Sequence, residues 1–347
     1  MQDKNPNRAP EIDWLSFQSL VDSESHPNFN PLSFRLKDME NLALNIKFFG
    51  YELARRMAEN LPVRDGLAFA PIDLRSKAST QIDLESDWVA YWCGELAIPV
   101  VFHRKLWELA YVLQTLRQSG ALTENARGVG FGCGEEPIAS YLASKGVQIV
   151  VTDLNPDDEV AKEWRDTAQH TTNRDRAFKP HLVDRETFDA KVSHRFVDMN
   201  DIPSDLADFD FCWSICSLEH LGTIEKGMNF VRNSLHSLKP GGVAVHTTEF
   251  NFLYEDQTID NWPTVLPLRK HFLALAEALR NDGHTVAPLD FDIGRKPLDR
   301  FIDIPPYPHD PKGTIERFGA EQDSNHLKMS IDGFPSTCFG IIVTKAR

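Results

Sequence analysis

The sequence predicts an α/β fold in which a mostly parallel sheet follows an α-helical N-terminal extension. After about residue 125, short apolar runs alternate with amphipathic segments, which is the pattern of β-α-β units around a parallel sheet. Before that point, apolar residues recur every three or four positions, as on one face of a helix. A last pair of alternating segments around Asp332-Gly333 predicts an antiparallel hairpin at the end of the chain.

The N-terminal extension is predicted over residues 1–103 and the main domain over residues 104–347. Within the extension, one helical stripe comprises Leu42, Ile46, Phe49, Leu53, Met57 and Leu61. A second stripe opens the main domain and comprises Leu106, Leu109, Leu113 and Leu116. Both stripes are predicted to face the core, because helices of globular proteins bury their apolar side.

Five strands are predicted in the runs RGVGF, QIVVTD, HRFVDM, DFCWS and GVAVHTT. Helices are predicted between and after them in ASYLASK, EVAKEWRDTAQ, LEHLGTIEKG and MNFVRNSLHSL. The segment PLRKHFLALAEALRNDGH predicts a further helix that ends at Gly283, and HTVAPLDFD predicts the strand that follows. The Pro-rich stretch 296–311 is predicted to be a surface loop, and the terminal hairpin completes the sheet.

Composition and charge limit the classes of protein to which this chain can belong. The 347 residues are 41% hydrophobic and 25% charged, with a formal net charge of −14, so a broad phosphate-binding surface is not expected. No apolar run reaches the roughly 20 residues of a membrane span, and the first residues lack the pattern of a signal peptide. We therefore predict a cytoplasmic protein. The five cysteines are scattered without a C-x-x-C pair, which argues against a disulfide framework or a cysteine zinc site.

The segment GVGFGCGEEP, residues 128–137, concentrates glycines between a strand and a helix. Glycine lowers the stability of both elements, so its repetition indicates a sharp bend or a ligand in contact with the backbone. Pro137 and two acidic residues mark the first turn of the helix. Main-chain N–H groups at such a turn favour an anionic ligand, which predicts a nucleotide-like cofactor. Tight strand-to-helix packing without a ligand is the alternative.

Asp153 ends the next strand, about 20 residues beyond the glycines, where a carboxylate can accept hydrogen bonds from ribose hydroxyls. That spacing also fits NAD-binding proteins, which use G-x-G-x-x-G. Here Glu135 occupies the position of the third glycine, and the spacing is G-x-G-x-G. The glycine spacing therefore disfavours an NAD-dependent oxidoreductase.

Four segments occur in the order typical of class I S-adenosylmethionine-dependent methyltransferases: GFGCG, TDLNP, FVDMNDIP, and FDFCWSICSLEHL followed by LKPGG. Residues from about 104 to 250 resemble this family. The resemblance implies a Rossmann-like sheet of seven mostly parallel strands with an antiparallel terminal strand. It also implies a methyltransferase whose cofactor is S-adenosyl-L-methionine.

The resemblance also implies roles for residues of these segments. Gly130, Gly132 and Gly134 bend around the methionine portion of the cofactor, Asp153 holds the ribose, and Asp198 with the methionine after it flanks the adenine. LKPGG turns the chain into the fifth strand.

Ser214 and its neighbours, at the end of the fourth strand, are expected near the departing methyl group. The full set predicted to contact the cofactor is Gly130, Phe131, Gly132, Gly134, Glu136, Asp153, Leu154, Asp198, Met199, Ser214 and Ile215. One departure concerns Gly128, since the family often has an acidic residue at that position. Glu135 or Glu136 meets the cofactor's amino group instead, or both only complement the helix dipole.

Methyl transfer is an in-line displacement, so catalysis depends on holding the acceptor atom close to the methyl carbon. A hydroxyl acceptor must also lose a proton, which requires a base or a metal near the carboxyl ends of the strands. His220 is the first candidate for that base, followed by Glu249 or His246, and Glu219 completes the set. The alternative is that the Glu-His pair only opens a helix and packs.

The resemblance to small-RNA 2′-O-methyltransferases is partial. Those enzymes bind a divalent metal through a Glu-x-x-Glu-His pattern, whereas here Cys216 replaces the first carboxylate and Glu219 and His220 match. A hard metal loses an oxygen ligand there, and Glu249 compensates only if it turns toward the same site. We therefore predict no resident metal and rank this function below the main one.

The sequence thus predicts O-methylation of a hydroxyl on a small molecule or sugar, with the N-terminal extension capping the active site. The expected partner is that small acceptor, without nucleic acid or membrane, and the oligomeric state stays open. A non-catalytic cofactor-binding protein is the remaining alternative.

Overall fold

The computed structural model describes residues 21, 23, 24, 26–64, 66–155, 174–307 and 326–347. Within them the helices are α1 Phe29–Glu59, α2 Gln81–Leu84, α3 Asp87–Leu96, α4 Arg104–Gln118, α5 Ile138–Ser144, α6 Arg185–Lys191, α7 Ile224–Ser234 and α8 Arg269–Asn281. The strands are β1 Ser76–Lys77, β2 Arg127–Phe131, β3 Gln148–Asp153, β4 Val192–Phe196, β5 Phe209–Ile215, β6 Leu238–Asn251, β7 Thr285–Val286, β8 Leu289–Asp290, β9 Ile302–Asp303, β10 Lys328–Ile331 and β11 Phe334–Thr344. The predicted helix EVAKEWRDTAQ lies outside the described residues.

The central sheet has the strand order β4-β3-β2-β5-β6-β11, and both β7 and β10 pair with the far side of β11. The strands β4, β3, β2, β5 and β6 are all parallel to one another, whereas β11 is antiparallel to β6. Strand β9 adds an edge beside β10. The seven strands from β4 through β11 to β7 confirm the predicted Rossmann-like α/β sheet with an antiparallel strand near its end.

Helices cover both faces of this sheet and bury two apolar clusters. One cluster includes residues of α3, α4 and α5, and the other includes residues of α7 and α8. Parallel strands are buried on both faces, which is why they appear in the sequence as near-continuous apolar runs. The chain order of β2, α5 and β3 brings the glycine-rich segment to the carboxyl edge of the sheet.

The terminal hairpin is confirmed, because Asp332 and Gly333 both have positive φ, 47° and 88°, as a two-residue hairpin turn requires. The predicted surface loop 296–311 is wrong in its described part. Leu298 and Asp303 are buried. The Asp299 carboxylate accepts hydrogen bonds from the backbone N of Gln81 (2.7 Å) and from the backbone N of Lys296 in the same turn. Partners more than 200 residues away hold this stretch inside the protein.

The first helical stripe also departs from its prediction. Leu42, Ile46, Phe49 and Leu53 are 44–69% exposed, while the adjacent face of α1, about 100° around the helix, packs against the protein. That packed face carries Lys47, whose Nζ pairs with the Asp303 carboxylate, both about 1% exposed. Periodicity locates an apolar face but does not show which face meets a neighbour, and the buried ion pair decides the orientation of α1.

The second stripe faces the core as predicted: Leu106, Leu113 and Leu116 are at most 5% exposed on α4. The division of the chain at residue 104 stays a prediction, although a helix does begin there. The side chain of His103 caps α4 by accepting a hydrogen bond from the backbone N of Lys105 (3.1 Å). In the part of the chain that the structure describes, no helix is long and apolar enough to cross a membrane.

Candidate active site

The glycine-rich turn follows β2 at the carboxyl edge of the sheet. Gly132 and Gly134 have φ of 60° and 52°, in the left-handed region that favours glycine. A Cβ on Gly130 would lie 2.4 Å from the Trp213 ring, and a Cβ on Gly132 would lie 2.8 Å from Ser217 Cβ. Both glycines therefore let neighbouring chain segments approach the turn, and their contact with a cofactor stays a prediction.

Hydrogen bonds bring the ends of three strands to this turn. The backbone N of Cys133 donates to the Thr152 carbonyl (3.1 Å), and Val197 N donates to the Asp153 carbonyl (2.9 Å). The Met199 sulfur lies 3.4 Å from the position of a Cβ on Gly132. Asp153, Met199 and the glycine turn thus share one edge, with Asp198 exposed beside them.

The two glutamates after the glycines point in different directions. Glu135 is exposed and pairs with Arg176 (3.1 Å). In contrast, Glu136 Oε2 is buried and meets the geometry of a hydrogen bond with no described residue, although the Trp213 side chain is close enough to act on the pKa of this carboxyl. Burial raises the pKa of Glu136 well above its usual value, against the opposing effect of nearby Lys105. A buried carboxylate oxygen beside a glycine turn can accept from a ligand's amino group.

Three of the predicted cofactor contacts have side chains in the core. Phe131 packs edge-on against Phe230, Ile215 is 4% exposed, and Ser214 Oγ hydrogen-bonds His246 Nδ1 (2.8 Å). Only the backbone of these strand ends is available at the sheet edge. Leu154, next to Asp153, donates its backbone N to the Asp153 carboxylate (2.9 Å).

His246 lies on the other side of β6 from the polar groups described below. Its Nε2 is 3.0 Å from Ser234 Oγ, so both ring nitrogens are hydrogen-bonded to serines. Complete burial lowers the pKa of His246 to about 3. The structure thus places this predicted base in the core against α7, where it cannot take a proton from an acceptor at the sheet edge.

A polar cluster with buried carboxylates lies where the first turns of α4 meet the ends of β5, β6 and β11, and its Lys105 side chain is 45% exposed. We call it the α4 cluster. Its members are Arg104, Lys105, Glu108, Cys216, Glu219, Glu249 and Cys338. The three glutamates are 0–2% exposed. Among the described residues, carboxylates thus outnumber the cations of this cluster by three to two.

Specific contacts hold the carboxylates of the α4 cluster. Arg104 Nε donates to Glu249 Oε1 (2.7 Å), and Ser336 Oγ donates to Glu249 Oε2 (2.7 Å). Burial acts to raise the pKa of Glu249, but the Arg104 charge, the hydrogen bonds from Ser336 and Arg104 and the Lys105 charge together outweigh it, so the pKa is lowered. Thr248 Oγ1 donates to Glu219 Oε2 (3.1 Å). Burial and the nearby Glu249 carboxylate raise the pKa of Glu219 to about 7.

His220 closes the short 3₁₀ helix after β5 and is partly exposed. Its Nδ1 is 3.0 Å from the Pro263 carbonyl oxygen. A carbonyl can only accept, so Nδ1 carries the proton and Nε2 carries the lone pair. Burial lowers the pKa of His220 to about 4, so the ring is neutral at pH 7. The preceding loop reaches the glycine turn, because Ser217 Oγ donates to the Gly132 carbonyl (3.2 Å).

The structure therefore brings Glu219 and Glu249 together, with His220 beside them, and separates His246. The sequence analysis missed four members of the α4 cluster: Arg104, Lys105, Glu108 and Cys338. One local signal was present, since three ionisable residues in five positions open a helix that otherwise carries an apolar stripe. Nothing in the sequence joins them to a cysteine more than 220 residues away.

Replacing Arg104 by methionine is expected to destabilise the protein by about 3 kcal/mol, because it leaves the buried Glu249 charge without its ion-pair partner. Urea denaturation measures the loss. The double variant R104M/E249Q should recover most of it. The matched control R195M breaks a pair with exposed Asp205 and should cost less than about 1 kcal/mol. Equal losses in R104M and R195M would contradict the assignment of a buried, coupled pair.

A parallel sheet with a glycine turn and strand-end carboxylates on one edge defines a nucleotide-cofactor-binding α/β enzyme. Residues 106–285 match the family described as "Methyltransferase domain". Because this match spans more than half of the 347 residues, the chain belongs to that family. It is a methyltransferase with S-adenosyl-L-methionine as its cofactor. No curated protein sequence matches the chain significantly.

Solved structures with similar folds are distant in sequence. A candidate sarcosine dimethylglycine methyltransferase from Galdieria sulphuraria is 14% identical, with a TM-score of 0.42 over 75% of this chain and 99% of that one. Phosphoethanolamine N-methyltransferase 2 from Haemonchus contortus is 15% identical, with a TM-score of 0.39 over 68% of this chain and 52% of that one. The methyltransferase domain of bacterial CtHen1 is 15% identical, with a TM-score of 0.39 over 70% and 100%.

Proposed function

We propose that the protein methylates a hydroxyl group on a small molecule or sugar. The observation that carries this proposal is the tautomer of His220. Its Nδ1 faces the Pro263 carbonyl (3.0 Å), which leaves the Nε2 lone pair as the proton acceptor of a neutral ring. A hydroxyl acceptor needs such a base, whereas an amine that is already neutral does not need one before it attacks.

The cofactor supplies an electrophilic methyl group on a sulfonium. The residues at the sheet edge fit it on two observations. The positive φ angles at Gly132 and Gly134 bend the backbone sharply at the sheet edge, and the buried Oε2 of Glu136 offers an acceptor for a cationic amino group. In this proposal Asp153 binds the ribose hydroxyls, and Asp198 with Met199 flanks the adenine.

The other groups of the chain orient the acceptor and control its proton. His220 Nε2 receives the hydroxyl proton, and the backbone carbonyl of Pro263 fixes the ring. Glu219, with its pKa near 7, is the neighbouring carboxylate that can hold that proton afterwards. Arg104 and Lys105 lie at the boundary between the proposed N-terminal cap and the main domain, where they balance the charge of the glutamates.

A second function is favoured by one specific contact. Ligand atoms of Cys216, Glu219 and Glu249 all lie within 4.8 Å of one another, so Glu249 does turn toward the place where Cys216 replaces a carboxylate. That is the condition set above for metal-assisted 2′-O-methylation of RNA 3′ ends. The net charge of −14 opposes an RNA partner, and we keep this function second.

An acceptor screen distinguishes these functions. Purified protein is incubated with S-adenosylmethionine and separate pools of sugars and phenols, amines, and RNA with free 3′ ends, and S-adenosylhomocysteine is measured by mass spectrometry. Product with the hydroxyl pool alone is expected, and it should persist with a chelator of Mg²⁺ and Mn²⁺. Turnover with amines alone would contradict the proposal. Turnover with RNA that the chelator abolishes would favour the second function.

A further inference from the structure

Two thiols and a carboxylate of the α4 cluster meet around one point. Cys216 Sγ is 3.3 Å from Cys338 Sγ, and Cys338 Sγ is 2.7 Å from Glu108 Oε1. Ligand atoms of all three residues lie within 4.8 Å of one another. We propose that Glu108, Cys216 and Cys338 bind a thiophilic divalent cation such as Zn²⁺.

The donor set and its spacing fit such an ion. Zinc lies about 2.3 Å from thiolate sulfur and about 2.0–2.2 Å from carboxylate oxygen, which places donors around one ion within roughly 4 Å of each other. The three donor atoms already lie nearly that close, so binding requires small side-chain rotations and the release of the two thiol protons to solvent. Two sulfurs favour a borderline-soft ion over Mg²⁺ or Ca²⁺. Three protein donors leave a fourth tetrahedral position for water or another ligand.

The two thiols approach each other from opposite sides of β6. The backbone N of Cys216 donates to the Thr247 carbonyl of β6 (3.0 Å), and Cys338 pairs with Glu249 on the other side of β6. Both cysteines are free thiols in this structure. A disulfide between them is the competing explanation of the contact, and the experiments below test for it.

The surrounding charges also accommodate a cation. Glu108 presents Oε1 to Cys338, while its Oε2 accepts from Thr247 Oγ1 (2.8 Å) and lies 3.6 Å from Lys105 Nζ. The Oε1 atom therefore faces the thiols and the proposed ion. Arg104 is engaged by Glu249 at 2.7 Å. A divalent ion adds two positive charges while Cys216 and Cys338 release two protons, so binding leaves the net charge of the α4 cluster unchanged.

An ion can reach this place from the proposed cofactor edge. Cys216 is partly exposed, and the next residue, Ser217, contacts the Gly132 carbonyl of the glycine turn. The proposed ion thus lies beside the methyl-transfer site but does not depend on which acceptor that site takes. The three ligands come from α4, the end of β5 and β11, so they are far apart in the sequence and show no C-x-x-C spacing.

Cobalt provides a direct test, since thiolate-bound Co²⁺ absorbs in the near ultraviolet and Zn²⁺ does not. The full chain is reduced, stripped with a chelator and titrated with Co²⁺. We expect a charge-transfer band that saturates at one equivalent and disappears on adding Zn²⁺. C216S and C338S should each lose most of the band, and E108Q should bind Co²⁺ about 10- to 100-fold more weakly. The matched controls C93S and C212S remove buried thiols outside the cluster and should keep the band.

A second measurement uses the wild-type chain alone. Alkylation of the five cysteines is followed by mass spectrometry with and without one equivalent of Zn²⁺, and slower modification of Cys216 and Cys338 only is expected. The proposal is overturned if wild-type protein shows no band at one equivalent of Co²⁺, or if the C216S/C338S variant keeps it. It is equally overturned if Zn²⁺ protects none of the thiols, or if the untreated protein contains a Cys216–Cys338 disulfide.

Discussion

The variant H220N is expected to lower kcat by about 10²- to 10⁴-fold, the usual contribution of a positioned general base. Asparagine places an amide donor near the position of Nδ1, so the hydrogen bond to the Pro263 carbonyl is retained. It removes the lone pair at Nε2, which is the atom proposed to take the acceptor's proton. The loss should therefore appear in the chemical step and leave the binding of S-adenosylhomocysteine unchanged. Stopped turnover assays and thermal unfolding with this product measure the two quantities separately.

A matched control and a charge-conserving comparison sharpen this test. His236 is an exposed histidine in the next 3₁₀ turn, and H236N should keep full activity. The variant E219Q keeps the shape of the neighbouring carboxylate and removes its ability to hold a proton, so a smaller loss is expected. Should H220N retain wild-type kcat while E219Q loses it, the base would be Glu219. Retention of full activity by both variants would contradict proton transfer at this edge.

The glycine turn and the strand ends could be predicted from the sequence, because their signals are local. Glycines at alternate positions, a proline in the first helical turn and an aspartate at the next strand end lie within about 25 residues. Parallel strands then align their carboxyl ends, so sequence order alone brings Asp153 to the turn. The same argument placed His220 and Glu219 at this edge, since they follow β5 directly.

The α4 cluster could not be predicted in the same way. Arg104 meets Glu249, and Glu108 meets Cys338, across separations of 145 and 230 residues. Side-chain direction also matters: successive residues of β6 point to opposite faces, so Glu249 enters the cluster while His246 turns to α7. Both residues lie on the same strand, and the sequence alone does not show which of its faces meets α4. The orientation of α1 could not be predicted for the same reason, because Lys47 is buried against Asp303, a partner 256 residues away.

Replacing Gly132 by alanine is expected to weaken S-adenosylmethionine binding by about 10- to 100-fold. Alanine at φ 60° costs about 1–2 kcal/mol, and its Cβ would lie 2.8 Å from the Ser217 side chain, which forces the turn and the loop after β5 apart. Gly241 is the matched control, since its φ of 81° carries a similar backbone penalty while nothing lies within 4 Å of an added Cβ. G241A should lose stability alone and keep its cofactor affinity in isothermal titration calorimetry. If G132A binds the cofactor as tightly as G241A, the glycine turn does not hold the cofactor, and the buried Oε2 of Glu136 would need another ligand.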